Sequence, residues 1–578
     1  MKLIIKQYLE SLKEREELDA ILPDLLSQMG LNVFSRPGRG SRQYGVDVAA
    51  VGSIDGGPIK VYLFSIKSGN LNRAAWDGDS NQSLRPSLNE ILDVYIPNHL
   101  PSEHRDKDIV ICICVGGDIQ EQVRPQVEGY TNENKRDGLV FEEWNGDKLA
   151  ELIEKYFLRE DLLPKDARPK LRKSLALLDE PEASFRHFSD LITSLSSVEQ
   201  IIDKQRIMSV RQIYICLWVL FTWSRDEDNL ESAYLSSERA LLYAWELSKE
   251  SFTKGSKTDK SIQLAFTAIL NLYQLISIQY LSEKILPHTD KRDGLSSAVR
   301  SSSPLDVNLK LFDVLGRLAI AGIWSHWNGQ MFGKDDKERQ EQCLQEIQVI
   351  TQAIKNLISN NPTLFMPFKD DQTIDISIAL LFLSFEDSNE NDMAAWLSEI
   401  LNRSIFSYEC DGHFPCILRS YRALLEHPKH GNKDYREEVT SGSILYPTIA
   451  LWAALLKKEE LYVRVRKAKA NHFMHCNFQL WYPDETSERH LYTNSDAHGF
   501  VLSNVPVDLP VKECLEIIWN ECENEEYFNN LSSQKNGLWP LILVACRHYR
   551  IPVTPQFTLG YREANKGVDA KIKENEHV

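Results

Sequence analysis

Asp47 and Lys67 are the residues whose types and setting best support chemistry. Asp47 stands in Gly45-Val46-Asp47-Val48, and Lys67 ends the run Val61-Tyr62-Leu63-Phe64-Ser65-Ile66-Lys67. Between the two runs, Gly-Ser-Ile-Asp-Gly-Gly-Pro breaks regular structure and reads as a hairpin connection. Side chains on a strand alternate faces, so Val61, Leu63, Ser65 and Lys67 point one way and Tyr62, Phe64 and Ile66 the other. An acid near the start of one strand then faces a lysine at the end of its neighbour. Such a pair can hold a divalent metal and a phosphate. Mg²⁺ takes oxygen ligands and keeps several waters, so one or two carboxylates plus a main-chain carbonyl suffice.

A second constellation lies farther along. Cys410, His413 and Cys416 form C-x₂-H-x₂-C, and His472, His475 and Cys476 follow in His-Phe-Met-His-Cys. These six are candidate ligands of a structural zinc ion if their loops meet. The competing reading is a loop with buried thiols and a helix end with partly exposed histidines. Gly38-Arg39-Gly40-Ser41 lacks the spacing and the lysine of a phosphate-binding loop.

Regular elements must bring Asp47 and Lys67 together. Leu18, Ile21, Leu22, Leu25, Leu26 and Met29 recur at helical spacing within a helical stretch over residues 2 to 29, with Pro23 as a kink or a restart and Gly30 as the stop. Asn32 to Ser35 reads as a strand, and Arg36 to Ser41 as a loop beside the site. Ser68 to Ser87 reads as a polar loop and Leu88 to Tyr95 as a short helix. Strands follow at Asp108 to Val115 and Leu139 to Trp144, with helices over Ile119 to Tyr130 and Asp147 to Leu158. That order is an α/β sandwich around a mixed sheet.

The arrangement resembles the PD-(D/E)xK nuclease superfamily, especially its modification-dependent restriction enzymes and archaeal junction resolvases. In that pattern a helix carrying an acid precedes a glycine turn, a Gly-x-Asp strand and a (Glu/Asp/Gln)-x-Lys strand. Leu18 to Val33, Gly45-Val46-Asp47-Val48 and Phe64-Ser65-Ile66-Lys67-Ser68 match these in order. The resemblance covers about the first 160 residues and none of the remainder. It implies a restriction-endonuclease-like fold and metal-dependent cleavage of nucleic acid, most often duplex DNA, with Mg²⁺ or Mn²⁺ as cofactor. Asp47 takes the principal ligand's place, Asp19 the helix acid's and Lys67 the catalytic lysine's. The Ile66 carbonyl completes the ligands. Ser65 stands where the family has a carboxylate or glutamine. Glu90 is the candidate for an acid displaced to the next helix, and Gln82 for a contact to phosphate or water.

The 578 residues are too many for one ordinary core, and 43% apolar with 26% charged residues is a folded, soluble composition. A net charge of −17 excludes a general nucleic-acid coat protein, since phosphate affinity comes largely from Lys and Arg. A local basic groove remains open to Arg36, Arg39, Arg42, Arg73 and Arg85. Ten cysteines without close pairing fit reduced thiols. No secretory segment and no apolar run of spanning length stands out, which places the protein in the cytoplasm, off the membrane.

The expected organisation is a nuclease-like domain over 1–161, a linker over 162–182, an all-helical array over 183–563 and a flexible tail over 564–578. Twelve tryptophans, ten of them beyond the linker, read as anchors between packed helices. A nuclease fused to a large helical module resembles bacterial restriction and antiphage-defence effectors. The partners expected on that ground are nucleic acid, a second copy of the chain, and an activating phage component, nucleotide or protein. The rival expectation is a nuclease-like scaffold that binds without cleaving.

Overall fold

The computed structural model describes residues 6, 9–10, 12, 14, 18–36, 43–78, 83–156, 167–196, 203–299, 303–332, 336–427, 432–493, 497–524 and 526–560. Arg39, Arg42, Gln82, the start of the expected linker and the tail from 564 lie outside them. The chain divides into two compact units, Met1–Ser236 and Ser237–Val578.

The first unit is built on one mixed sheet whose strands lie side by side in chain order: β1 (Asn32–Ser35), β2 (Val48–Gly52), β3 (Lys60–Lys67), β4 (Ile109–Val115) and β5 (Leu139–Trp144). The first two pairings are antiparallel and the last two parallel. Parallel strands are covered on both faces, and β4 is buried throughout, which explains its unbroken Ile-Val-Ile-Cys-Ile-Cys-Val. Helix α1 (Asp19–Gln28) contacts β1 and β2 and continues through the buried Pro23. Proline's missing N–H leaves only the Asp19 carbonyl without its helical donor. On the Val61–Leu63 face lie α2 (Leu84–Glu90) and α3 (Arg124–Asn134), and α4 (Gly146–Tyr156) follows β5. The chain after Lys67 is more ordered than its polar composition suggests. Asn72 caps a short helix, Arg73–Asp77, by accepting from the Ala75 N–H, and a π-helical segment, Ile91–His99, extends α2.

The linker expected over 162–182 is largely helical where it is described. Ala167–Ala176 is α5 and Pro181–Ser196 is α6. Pro169 and Pro181 fall in first turns, where a missing N–H costs nothing. Ser174 and Ser184 donate to each other's carbonyls at 3.0 and 2.8 Å, locking the two helices together. With α7 (Asp203–Asp226) they belong to the first unit, whose boundary falls within α8 (Glu231–Ser248).

The second unit is mainly helical, but not entirely. Strands β6 (Gly442–Ser443), β7 (Asn477–Tyr482) and β8 (Phe500–Ser503) form a small sheet. The apolar alternation of Phe478, Leu480 and Tyr482 signals β7 within an otherwise helical sequence. Nor is the unit a solenoid, in which each repeat touches only its neighbours. Helix α10 (Pro304–Phe332) packs against α9 (Lys257–Lys284), α11 (Lys337–Asn360) and α12 (Thr373–Leu383), and also against the distant α13 (Pro540–Tyr549). Two helices, Gln205–Asp226 and Lys257–Thr289, are long and apolar enough to cross a membrane by length and composition alone, with 82% and 50% of their most apolar windows buried inside the fold.

Buried charges tie α8, α10 and α13 together. Arg547 donates to Glu238 and, at 2.7 Å, to Asp313, which also takes the Arg317 guanidinium at 2.6 Å. His548 lies 3.1 Å from the other Glu238 oxygen. Burial alone would raise the Glu238 carboxyl, but Arg547 and His548 outweigh it and hold it down to about 2. Its stabilising contribution is therefore complete above the ordinary carboxylate range and fades as pH falls from about 4 through about 2. Arg547→Ala leaves Glu238 buried with only His548 beside it and should lower stability by about 3 to 5 kcal/mol. The double change Glu238→Gln with Arg547→Met should cost less, as read by denaturant unfolding at pH 7. Equal losses in both variants would contradict the pairing.

Candidate functional site

The candidate site forms at the C-terminal end of β3. Gly45, at φ +80°, turns the chain into Asp47, and a Cβ there would come within 2.0 Å of the Ser87 carbonyl of α2. Only glycine fits that left-handed, crowded position. The Asp47 N–H donates to the Phe64 carbonyl at 2.9 Å, and Asp47 Oδ2 accepts the Ile66 N–H at 2.7 Å. Asp47 is thus clamped to the lysine strand by its own backbone and side chain.

Lys67 is buried, and its Nζ donates to Glu14 Oε1 at 2.9 Å. Glu14 comes from the chain ahead of α1, which crosses the C-terminal ends of the parallel strands. Lys6 reaches Asp118 at 2.9 Å and Asp147 at 2.5 Å, and Glu10 accepts from Asn70 at 2.6 Å. Lys6, Glu10 and Glu14 are spaced by four in the sequence. Gly116 at the end of β4 lets this segment pass, since a Cβ there would meet the Leu9 carbonyl at 2.3 Å.

Asp47 therefore sits among Lys67, Glu14 and Asp19, the charges that act most on it. Its carboxyl is pushed up to about 6, chiefly by burial, with Glu14 and Asp19 adding to the rise and the Ile66 N–H and Lys67 opposing it. Three carboxylates against one ammonium leave an excess of negative charge in a poorly hydrated place. Ser65 is buried, and its hydroxyl has no hydrogen-bond partner among the described residues. Hard oxygen donors, surplus negative charge and an orphaned hydroxyl suit a hydrated divalent cation. As the side chains stand, no three His, Cys, Asp or Glu among the described residues are spaced to grip an ion. Glu14 is turned onto Lys67, and one Asp47 oxygen onto Ile66.

Of the residues expected from the sequence, Asp47 and Lys67 converge, and Asp19 lies within electrostatic reach. Glu14, which the sequence reading passed over, makes the direct contact to the lysine. Ser65 is enclosed in the sheet, and Glu90 lies half-buried at the end of α2, outside the carboxylates that act most on Asp47.

Of the arginines expected to line a basic groove, Arg36, Arg73 and Arg85 are described and Arg39 and Arg42 lie outside the described residues. Arg85 pairs with Asp77 at 2.7 Å and Arg36 lies 3.9 Å from Asp24, while Arg73 is exposed. The six zinc candidates form no group spaced to hold an ion among the described residues. His475 is hydrogen-bonded to Thr440 at 2.8 Å, His472 lies 3.5 Å from Glu409, and the His413 ring packs on His427. Cys416 and Cys476 are buried and Cys410 is exposed. Packing and hydrogen bonding hold these six side chains in separate roles, and no metal-holding group forms among the described residues.

No family model, no curated protein and no solved structure matches this chain.

A raised acid favours folding in its protonated form, so Asp47 subtracts stability as pH rises from about 4 through about 6. Asp47→Asn keeps an acceptor for the Ile66 N–H and removes the charge. It should stabilise the fold by about 1 to 2 kcal/mol at pH 7.5, after allowance for partial solvent screening. The gain should vanish at pH 4, as read by thermal unfolding at both values. A destabilised variant at pH 7.5 would show that Asp47 is not electrostatically strained.

Proposed function

We propose that the first unit is a metal-dependent phosphodiesterase of restriction-endonuclease-like fold that cleaves nucleic acid, most readily duplex DNA. The observation that carries this reading is the convergence of Asp47, Glu14 and Lys67 at the end of β3, in the strand order and spacing of the PD-(D/E)xK pattern. Asp47 Oδ1, the Glu14 and Asp19 carboxylates and the Ile66 carbonyl are the groups that would hold Mg²⁺ or Mn²⁺. When bound, the cation supplies an activated water and neutralises charge at the phosphoryl oxygens. With a cation held there, Lys67 would be the group to orient the attacking water and to stabilise the charge that develops on the phosphate. Asp47 is held in register by the Ile66 N–H. The second unit recruits, senses or oligomerises. The assembly is read as a cytoplasmic antiphage-defence or restriction effector, triggered by a phage component, a nucleotide or a partner protein.

The second reading is a nuclease-like scaffold that binds without cleaving. It is favoured by Ser65, a neutral group where the pattern places a ligand, and by the closed Lys67–Glu14 pair.

Purified protein should degrade plasmid DNA with Mn²⁺ or Mg²⁺ and not with EDTA. Asp47→Asn, Lys67→Ala and Glu14→Gln should each reduce the rate by at least about 100-fold, a loss of about 2.7 kcal/mol or more in transition-state stabilisation, without unfolding the protein. Wild-type rates in all three variants would remove the proposal. Binding of DNA without cleavage under every metal, in the presence of the trigger, would establish the scaffold instead.

A further inference from the structure

Helix α9 carries an outer face that no described part of the second unit covers. From Ser261 to Ser282 the sequence has no charged residue, in a protein of net charge −17. The inner face is committed to the core through Ile262, Phe266, Ile269, Tyr273, Ile276 and Tyr280. The outer face exposes Leu264, Thr267, Asn271, Leu275 and Ile278, and three of these are large apolar side chains at 64%, 42% and 51% exposure. Steps of three and four residues make this a narrow seam of the kind that receives one other helix.

The seam is close to symmetric about its middle. Leu264 and Ile278 lie seven residues either side of Asn271, and Thr267 and Leu275 lie four either side. A two-fold axis through Asn271 that pairs α9 with itself antiparallel sets Leu264 of one copy on Ile278 of the other. It sets Leu275 on Thr267, and Asn271 on Asn271. At each end it brings the exposed Lys260 of one copy beside the exposed Glu283 of the other. A bilayer does not suit the same helix. Half of its apolar window is buried in protein, and the exposed stripe is interrupted by Thr267 and Asn271. Like-charged copies of this acidic chain meet most easily where charge is absent, and a central polar Asn fixes register at some cost in stability.

We propose that this face of α9 joins two copies of the chain in a two-fold antiparallel helix pair centred on Asn271. The proposal does not depend on the nuclease reading. It concerns the second unit alone, and its test reads association and not cleavage.

The test is sedimentation and site-directed crosslinking of the full chain carrying Cys410→Ser, which removes the exposed cysteine found among the ten. Unmodified chains should show concentration-dependent dimers. Leu275→Glu with Ile278→Glu should give monomers with unchanged thermal unfolding, because both sites face outward. Asn271→Cys should crosslink to itself under mild oxidation. Leu264→Cys should crosslink to Ile278→Cys in a mixture and only weakly to itself. Lys260→Glu should weaken the dimer, and adding Glu283→Lys should restore it. A monomer at every concentration, a dimer indifferent to the glutamates, binding of the monomer to phosphatidylcholine–phosphatidylglycerol vesicles through this face, or dimers gained on deleting residues 561–578 would each overturn the proposal.

Discussion

The contact between Lys67 and Glu14 is the constraint on which the candidate site depends. A lysine at the end of a central strand is hard to bury without an anion beside it. Here the anion comes from a segment that crosses the ends of the parallel strands, anchored by Lys6 on Asp118 and Asp147 and by Glu10 on Asn70. That crossing brings acids from the first residues of the chain to the lysine strand, where Asp47 is already clamped by Ile66. The outcome is a lysine neutralised by one carboxylate and a second carboxylate held close to protonation by its surroundings. Strain of this kind weakens the resting fold, and local features that cost stability concentrate where function needs them.

Much of the first unit was legible because sheet patterns are local. The runs at Asn32–Ser35, Leu139–Trp144 and the two at the core of the sheet fall where β-branched and aromatic residues cluster between glycines and polar breaks. Asp47 and Lys67 were legible for the same reason, since a two-strand register needs only short-range alternation. Glu14 was not. Its importance comes from a crossing over Gly116, a contact between residues far apart in the chain, and no periodicity encodes that approach directly. Pro23 reads in sequence as a kink or a restart, yet α1 runs through it from Asp19 to Gln28.

The second unit shows the opposite balance. Its helices announce themselves by period, while the way they pack does not. Polar breaks between helices suggested a row of neighbours, yet Arg547 reaches back to Asp313 and Glu238 across hundreds of positions. A buried arginine reads in sequence like any surface one. The cysteines and histidines of the second unit show the same gap between spacing and packing. Spacing alone proposes a zinc site, and the fold instead gives each imidazole a hydroxyl, a carboxylate or a ring as neighbour. The small sheet of β6, β7 and β8 departs from the all-helical expectation, because its strands are short and set among helical sequence.

The central claim is that Asp47, Glu14 and Lys67 surround one place for a divalent cation. Anomalous diffraction from a crystal of the intact chain soaked in Mn²⁺, collected at the manganese edge, tests it most directly. A single strong peak is expected within coordination distance of an Asp47 oxygen, with Glu14 swung from Lys67 toward the ion. An unoccupied Asp47 with Lys67 and Glu14 still paired, at Mn²⁺ concentrations that fill ordinary carboxylate sites, would contradict it.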